Sequence, residues 1–124
     1  MRSEEIGSGT LEHWTPEEVR NAYDRNEIVL IDVRAPQEYM IEMIEGALLS
    51  PITTFNPDKL PSQEGKRIVF YCGGGGRSRK AAVLTIEHGV ERIAHMEGGF
   101  GAWKQSGLPY VGTEAMTGAQ TKVG

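Results

Sequence analysis

Cysteine is almost missing from this chain: Cys72 is the only one among 124 residues. A single thiol excludes an intramolecular disulfide and any zinc site built from several cysteines, and it fits a reducing compartment, with the cytoplasm as the expectation. Long apolar runs are missing too. None approaches the roughly 18 residues of a membrane span, and the polar stretch Met1 to Thr10 lacks the apolar segment of a signal peptide. Nor is there a surplus of positive charge, since 13 Lys and Arg face 17 Asp and Glu, for a formal charge of −4. That balance argues against nucleic acid as the main partner. No internal repeat occurs, and no low-complexity segment beyond one run of glycines.

What is present has the size of one domain, able to bury roughly two-thirds of its unfolded surface. Residues 1–9 are polar and glycine-containing and read as a flexible N-terminal arm, with Leu11 to Trp14 as a first short extended piece. Thr15-Pro16-Glu17-Glu18 puts a capping threonine before a proline, and Glu18 completes a capping box, so a helix is expected from there to about Asn26. Ile28-Val29-Leu30-Ile31 is a continuous apolar run of the kind found in a strand covered on both faces, ending at Asp32-Val33-Arg34. Pro36 to Met43 reads as a short helix, Gly46 to Leu49 as a short strand, and Ile52 to Pro61 as a connection. Arg67 to Tyr71 is a β-branched and aromatic strand. Ser78 to His88 has alanines at helical spacing and a stop at Gly89. Val90 to Met96 reads as another strand, and Gly98-Gly99 leads into a helix around Ala102-Trp103. Residues 112–124 show little periodicity and are expected to form a loose C-terminal tail. Strand and helix alternate about four times, the pattern of an α/β domain with helices on both faces of a small, mostly parallel central sheet.

Between strand and helix lies Cys72-Gly73-Gly74-Gly75-Gly76-Arg77-Ser78. Ligands in such folds sit beyond the carboxyl ends of the strands, and Cys72 falls at one of them. Consecutive glycines let the backbone curl so that several N–H groups, with those of the helix start, point at one atom. A cysteine there is expected to be a thiolate, with its pKa brought down from about 8.5 into the range of about 3.5 to 7.5. The spacing fits neither a Walker A loop, which would need Lys at Arg77 and Gly at Tyr71, nor a G-x-G-x-x-G turn. The tyrosine-phosphatase loop is the serious competitor, but it separates its cysteine and arginine by one residue more than the four found here. A tighter ring of N–H groups suits one sulfur atom better than a tetrahedral phosphate.

At this point the chain resembles the rhodanese-like sulfurtransferase family, in its single-domain form. Leu30-Ile31-Asp32-Val33-Arg34 with Glu38-Tyr39, then Ile44-Glu45-Gly46-Ala47, then the Cys72 to Ser78 loop with Ala81-Ala82, and finally Gly98-Gly99 through Trp103 to Gly107 and Pro109 carry the resemblance, over about residues 10–111. Met43 departs from it, standing where most members have a histidine read as structural. The glycine filling departs as well, since many members carry a polar loop side chain that contacts substrate.

The resemblance implies a rhodanese-like fold over 10–111 and transfer of sulfane sulfur from thiosulfate or a similar small anionic donor. A persulfide on Cys72 would pass the sulfur to a thiophilic acceptor, either cyanide or a thiol, including one on a protein. Gly73, Gly74, Gly75, Gly76 and Ser78 would stabilise the anionic sulfur, and Arg77 would attract the donor. No metal or organic cofactor, nucleic acid or membrane is called for. Two other readings stay open: a persulfide-carrying module that binds a protein partner and turns over small donors poorly, and a phosphatase or arsenate reductase related by fold. Arg77 also has the alternative of an ion pair with Asp32 or Glu38. Asp32 and Arg34 read as fixing the strand end, supporting the site at most from behind. His13, His88 and His95 read as packing or surface residues, Phe100 and Trp103 as core, and Arg79 and Lys80 as a solvated helix face that can steer anions.

Overall fold

The computed structural model describes residues 1–114 and 116–124. Its main sheet has six strands: β1 (Arg2–Ile6), β2 (Gly9–Trp14), β3 (Ile28–Asp32), β5 (Leu48–Leu49), β6 (Arg67–Tyr71) and β7 (Arg92–Met96). They lie in the order β1-β2-β7-β6-β3-β5. Every neighbouring pair is parallel except β1 with β2. The helices are α1 (Pro16–Asp24), α2 (Pro36–Ile41), α3 (Gly76–Glu87) and α4 (Gly99–Gln105), with single 3-10 turns at Ile52–Thr54 and Pro57–Lys59. The mixed α/β architecture with a mostly parallel sheet is the one expected.

Strand alternation divides the core into two layers. Leu30, Val69, Tyr71, Ala94 and Met96 face α1 and α4, where they meet Val19, Ala22, Phe100 and Trp103. The intervening Ile31, Val33, Ile68, Phe70, Cys72 and Ile93 face the other way, onto Ala81, Ala82 and Ile86 of α3. A period of two along each strand sends successive side chains to opposite faces, so the sulfur of Cys72 belongs to the α3 layer. The capping box forms as read: Glu18 N–H donates to Thr15 Oγ1 and Thr15 N–H to the Glu18 carboxylate. Among the described residues, no helix is long and apolar enough to cross a membrane.

Four expectations are corrected. Residues 1–9 are not a flexible arm, because Arg2–Ile6 pairs antiparallel with Gly9–His13. The strand is polar since it forms the sheet's edge, and side chains fasten it through Arg2 to Glu97 and Glu4 to Arg79. The C-terminal segment is not a loose tail, since β8 (Tyr110–Thr113) and β9 (Gln120–Val123) form an antiparallel hairpin; residue 115 lies outside the described residues. The helix from Pro36 stops at Ile41, where Glu42–Met43, as β4, pairs with Gly112 and Val111 of that hairpin to complete a second, three-stranded sheet. Finally, α3 begins at Gly76 rather than Ser78, which puts Arg77 and Ser78 in its first turn.

Candidate active site

Cys72 directly follows β6, and only 1% of its surface is exposed. Gly75, at the N-cap of α3, has φ of 110°, a left-handed conformation that a side chain would strain. This bend turns the loop back on the sulfur. The Gly75 N–H donates to Cys72 Sγ at 3.0 Å and the Ser78 N–H at 3.3 Å, while the Ser78 hydroxyl lies 3.6 Å from it. Burial opposes ionisation of the thiol. The backbone and hydroxyl of Ser78, with the N–H groups of Gly75 and Gly74, outweigh that opposition, and the thiol's pKa lies below its ordinary value. Among the described residues, no such bond reaches the sulfur from Gly73 or Gly76. The ring of donors is therefore narrower than the full glycine run.

The loop's carbonyls are held from outside. Phe100 N–H donates to Cys72 O at 2.7 Å and Gly101 N–H to Gly73 O at 3.0 Å, so the start of α4 grips the back of the loop. Gly99 is required for that grip, because a Cβ there would come within 2.4 Å of Cys72 O and 2.7 Å of the Gly73 carbonyl carbon. In sequence Gly98-Gly99 reads as a turn into a helix and as part of the family resemblance; its contact with a loop some 26 positions earlier has no local signal beyond the paired glycines.

Two arginine–carboxylate pairs stand beside the loop. Arg34 folds back on Asp32 with bonds of 2.7 to 3.0 Å and donates also to the Glu42 carbonyl at 2.7 Å, and its guanidinium lies 4.7 Å from the centre of the Phe100 ring. Both members are buried. Arg77 reaches across to Glu38 of α2 in a two-pronged pair, with Nη2 to Oε2 at 3.0 Å. Arg77 thus pairs with Glu38, while Asp32 is taken by Arg34. The Arg77 hydrogen bonds hold the Glu38 carboxyl down at about 2. A hollow of about 330 Å³ opens beside Gly73, walled by Arg34, Glu38, Phe100, Gly101 and Lys104. Lys104 spans it to Glu42 at 2.8 Å.

Two histidines read as packing turn out to be connected to the site. His95 Nδ1 lies 2.8 Å from Ser78 Oγ, and His95 Nε2 lies 2.8 Å from His13 Nδ1. Sequence spacing gave no hint, because 82 positions separate the pair and only the register of β2 on β7 sets His13 beside His95. His88 stays on the surface with Asp58. Among the described residues, no group of three or more His, Cys, Asp or Glu side chains is placed to hold a metal ion.

Known proteins share the sequence and fold of this chain. The chain is 41% identical over 99 residues to the uncharacterized protein slr1261 of Synechocystis sp., an overlap of 80% of this chain and 55% of that protein. To a sulfurtransferase of Allochromatium vinosum it is 32% identical over 91 residues, covering 73% of this chain and 85% of the relative. Its fold is shared by a rhodanese-related protein of Thermoplasma volcanium, with a TM-score of 0.70 at 22% identity over 81% of this chain and 97% of that one. The domain also recurs inside larger proteins, since the chain spans 32% of a tRNA uridine(34) hydroxylase of Photorhabdus laumondii to which it is 30% identical over 112 residues. The model of the rhodanese-like domain matches residues 15–106, and the chain belongs to the rhodanese-like domain family.

Proposed function

We propose that this chain is a sulfurtransferase that carries sulfane sulfur on Cys72, taking it from thiosulfate or a similar small anionic donor and giving it to cyanide or a thiol. In this reading the Cys72 thiolate attacks the donor's outer sulfur. The donor's S–S bond breaks, sulfite leaves with the electron pair, and a persulfide remains. An acceptor nucleophile then attacks the terminal sulfur and the thiolate returns, a two-step covalent exchange that needs no metal or organic cofactor. The N–H groups of Gly75 and Ser78 stabilise the negative sulfur without having to reorganise. Gly73, Gly74 and Gly76 leave the loop without side chains, so the donor's outer atom can approach. Arg77, held by Glu38 and open to solvent beside the loop, attracts the anion, and Asp32 with Arg34 holds the wall of the neighbouring hollow. A reducing compartment such as the cytoplasm would keep the thiol free.

The observation that carries the reading is a buried sulfur at the focus of backbone donors, with four residues between Cys72 and Arg77. The Allochromatium relative supports the reaction class, and the choice of an anionic donor rests on Arg77. Intact mass after incubation with thiosulfate tests it. The expected result is a gain of one sulfur atom, removed by cyanide and absent in Cys72→Ser. Failure to form the adduct with any sulfane donor sinks the proposal, and turnover of an aryl phosphate would move the chain to the phosphatase reading.

A further inference from the structure

Behind the sulfur runs an unbroken line of polar groups to the surface. Cys72 Sγ to Ser78 Oγ is 3.6 Å, Ser78 Oγ to His95 Nδ1 2.8 Å, His95 Nε2 to His13 Nδ1 2.8 Å, and His13 Nε2 to Glu4 Oε1 2.9 Å. Ser78, His95 and His13 are all buried. Glu4 is the first member open to solvent, with 35% of its side chain exposed. The two imidazoles stand edge to face, with ring centres 4.8 Å apart. Every group in the line has both a neighbour toward the sulfur and a neighbour toward the surface. With Cys72 as a thiol, all donors run one way: S–H to Ser78, Ser78 O–H to His95, His95 Nε2–H to His13, and His13 Nε2–H to the Glu4 carboxylate.

We propose that this line is a proton path by which Cys72 ionises, its proton being held on His13 against the carboxylate of Glu4. The inference rests on the reading of Cys72 as the nucleophile. The step balances without a co-reactant. The S–H bond breaks and the proton passes to Ser78 Oγ, while the serine's own hydroxyl proton moves to His95 Nδ1. The Nε2 proton of His95 then moves to His13 Nδ1. His95 ends neutral with its tautomer switched, and His13 ends as an imidazolium whose Nε2–H still faces Glu4. Ser78 now donates to the thiolate, or to the Gly75 carbonyl at 3.1 Å. Burial and the neighbouring His13 bring His95 down to about 4, which suits a carrier that passes a proton on without keeping it. The other charges facing the line are Arg79 from α3, which pairs with Glu4, and Arg2 from β1, which pairs with Glu97 after β7. On the loop side, Arg77 pairs with Glu38. His95 and His13 are thus positioning residues that act through Ser78, and Glu4 anchors the far end from the first strand of the chain.

The test is the pH profile of Cys72 alkylation by iodoacetamide, with Glu4→Gln and His95→Gln beside the full wild-type chain. No other thiol competes, and the reagent needs no sulfur donor, so the profile can be read even if no persulfide ever forms. The sign discriminates. Through space alone, removing a negative charge would favour the thiolate and lower the midpoint, whereas loss of the proton's resting place raises it. Glu4→Gln removes the charge while its amide oxygen still accepts from His13 and the exposed Arg79 turns to water, and it is expected to raise the midpoint by about half a unit to one unit. Alkylation on the acid limb then slows roughly three- to tenfold with the same plateau at high pH. His95→Gln is expected to shift it at least as far. An unchanged or lowered midpoint in Glu4→Gln overturns the proposal. Ring 15N signals provide a second check: at a pH where Cys72 is ionised, His13 is expected to carry a proton on both ring nitrogens and His95 on Nδ1 alone, an arrangement that vanishes in Cys72→Ser. Its persistence there would also overturn the path.

Discussion

The two arginine–carboxylate pairs beside the loop use the same chemistry in opposite surroundings. Asp32 with Arg34 is sealed: the side chains are 0% and 5% exposed, the guanidinium has a backbone carbonyl as a further acceptor, and an aromatic ring covers it. Glu38 with Arg77 is open, with both side chains 38% exposed. A sealed pair holds geometry, because parting it would strand a charge away from water. An open pair is worth little to the fold, since water can replace either partner. It can therefore lend its arginine to an arriving anion. The same two residue types thus take different parts: one fixes the wall, and in the proposed reaction the other meets the donor.

The sharpest way to break this contrast is to remove one arginine from each pair. Arg34→Ala leaves Asp32 buried and unpaired and is expected to destabilise the fold by about 3–5 kcal/mol, measured by urea denaturation; a loss no greater than that of Arg77→Ala would erase the distinction. Next in size is the effect of Arg77→Ala on turnover. Loss of roughly 10- to 100-fold in kcat/KM for thiosulfate, about 1.4–2.7 kcal/mol of transition-state binding, should accompany a stability change within about 1 kcal/mol. Persulfide formation from an uncharged donor should suffer less. Equal loss with both donors would make Arg77 another structural arginine.

The smallest effect concerns acid. The Glu38 carboxyl lies at about 2 in the folded chain, against an ordinary value of 4.5. A carboxyl depressed by folding stabilises the protein above its unfolded pKa, and that contribution is lost as pH falls from about 4.5 toward about 2. Because the pair is open to water, the contribution is expected to be about 1 kcal/mol or less. Stability curves of wild type and Glu38→Gln should therefore converge across that window, and parallel curves would show that the pair contributes nothing to the fold.

How much of this was legible depended on whether the cause was local. The junction of β6, loop and α3 could be read because the apolar run, the glycines and the alanine spacing adjoin one another in sequence. The alternation of Val69 and Tyr71 with Ile68, Phe70 and Cys72 likewise follows from the period of a strand. Partners remote in sequence could not be read. β1 carries charge because it is an edge, so its composition resembled a disordered arm. Glu42–Met43 leaves the helical pattern only because Val111 and Gly112 arrive to pair with it. Met43 lies within that short strand, paired with Val111. His13 and His95 belong to separate strands, and sheet register alone brings them together. Lone histidines with no partner nearby in sequence read as packing or surface residues.

The first strand also matters at the border of the sheet. β2 has β7 on one side and β1 on the other. Without Arg2–Ile6, a row of N–H and C=O groups on β2 would lie open as a template for strands of other molecules. The same few residues thus keep the sheet from recruiting a neighbour and supply the carboxylate on which His13 rests. A change made within Arg2–Ile6 would reach both self-association and the thiol at the sheet's centre.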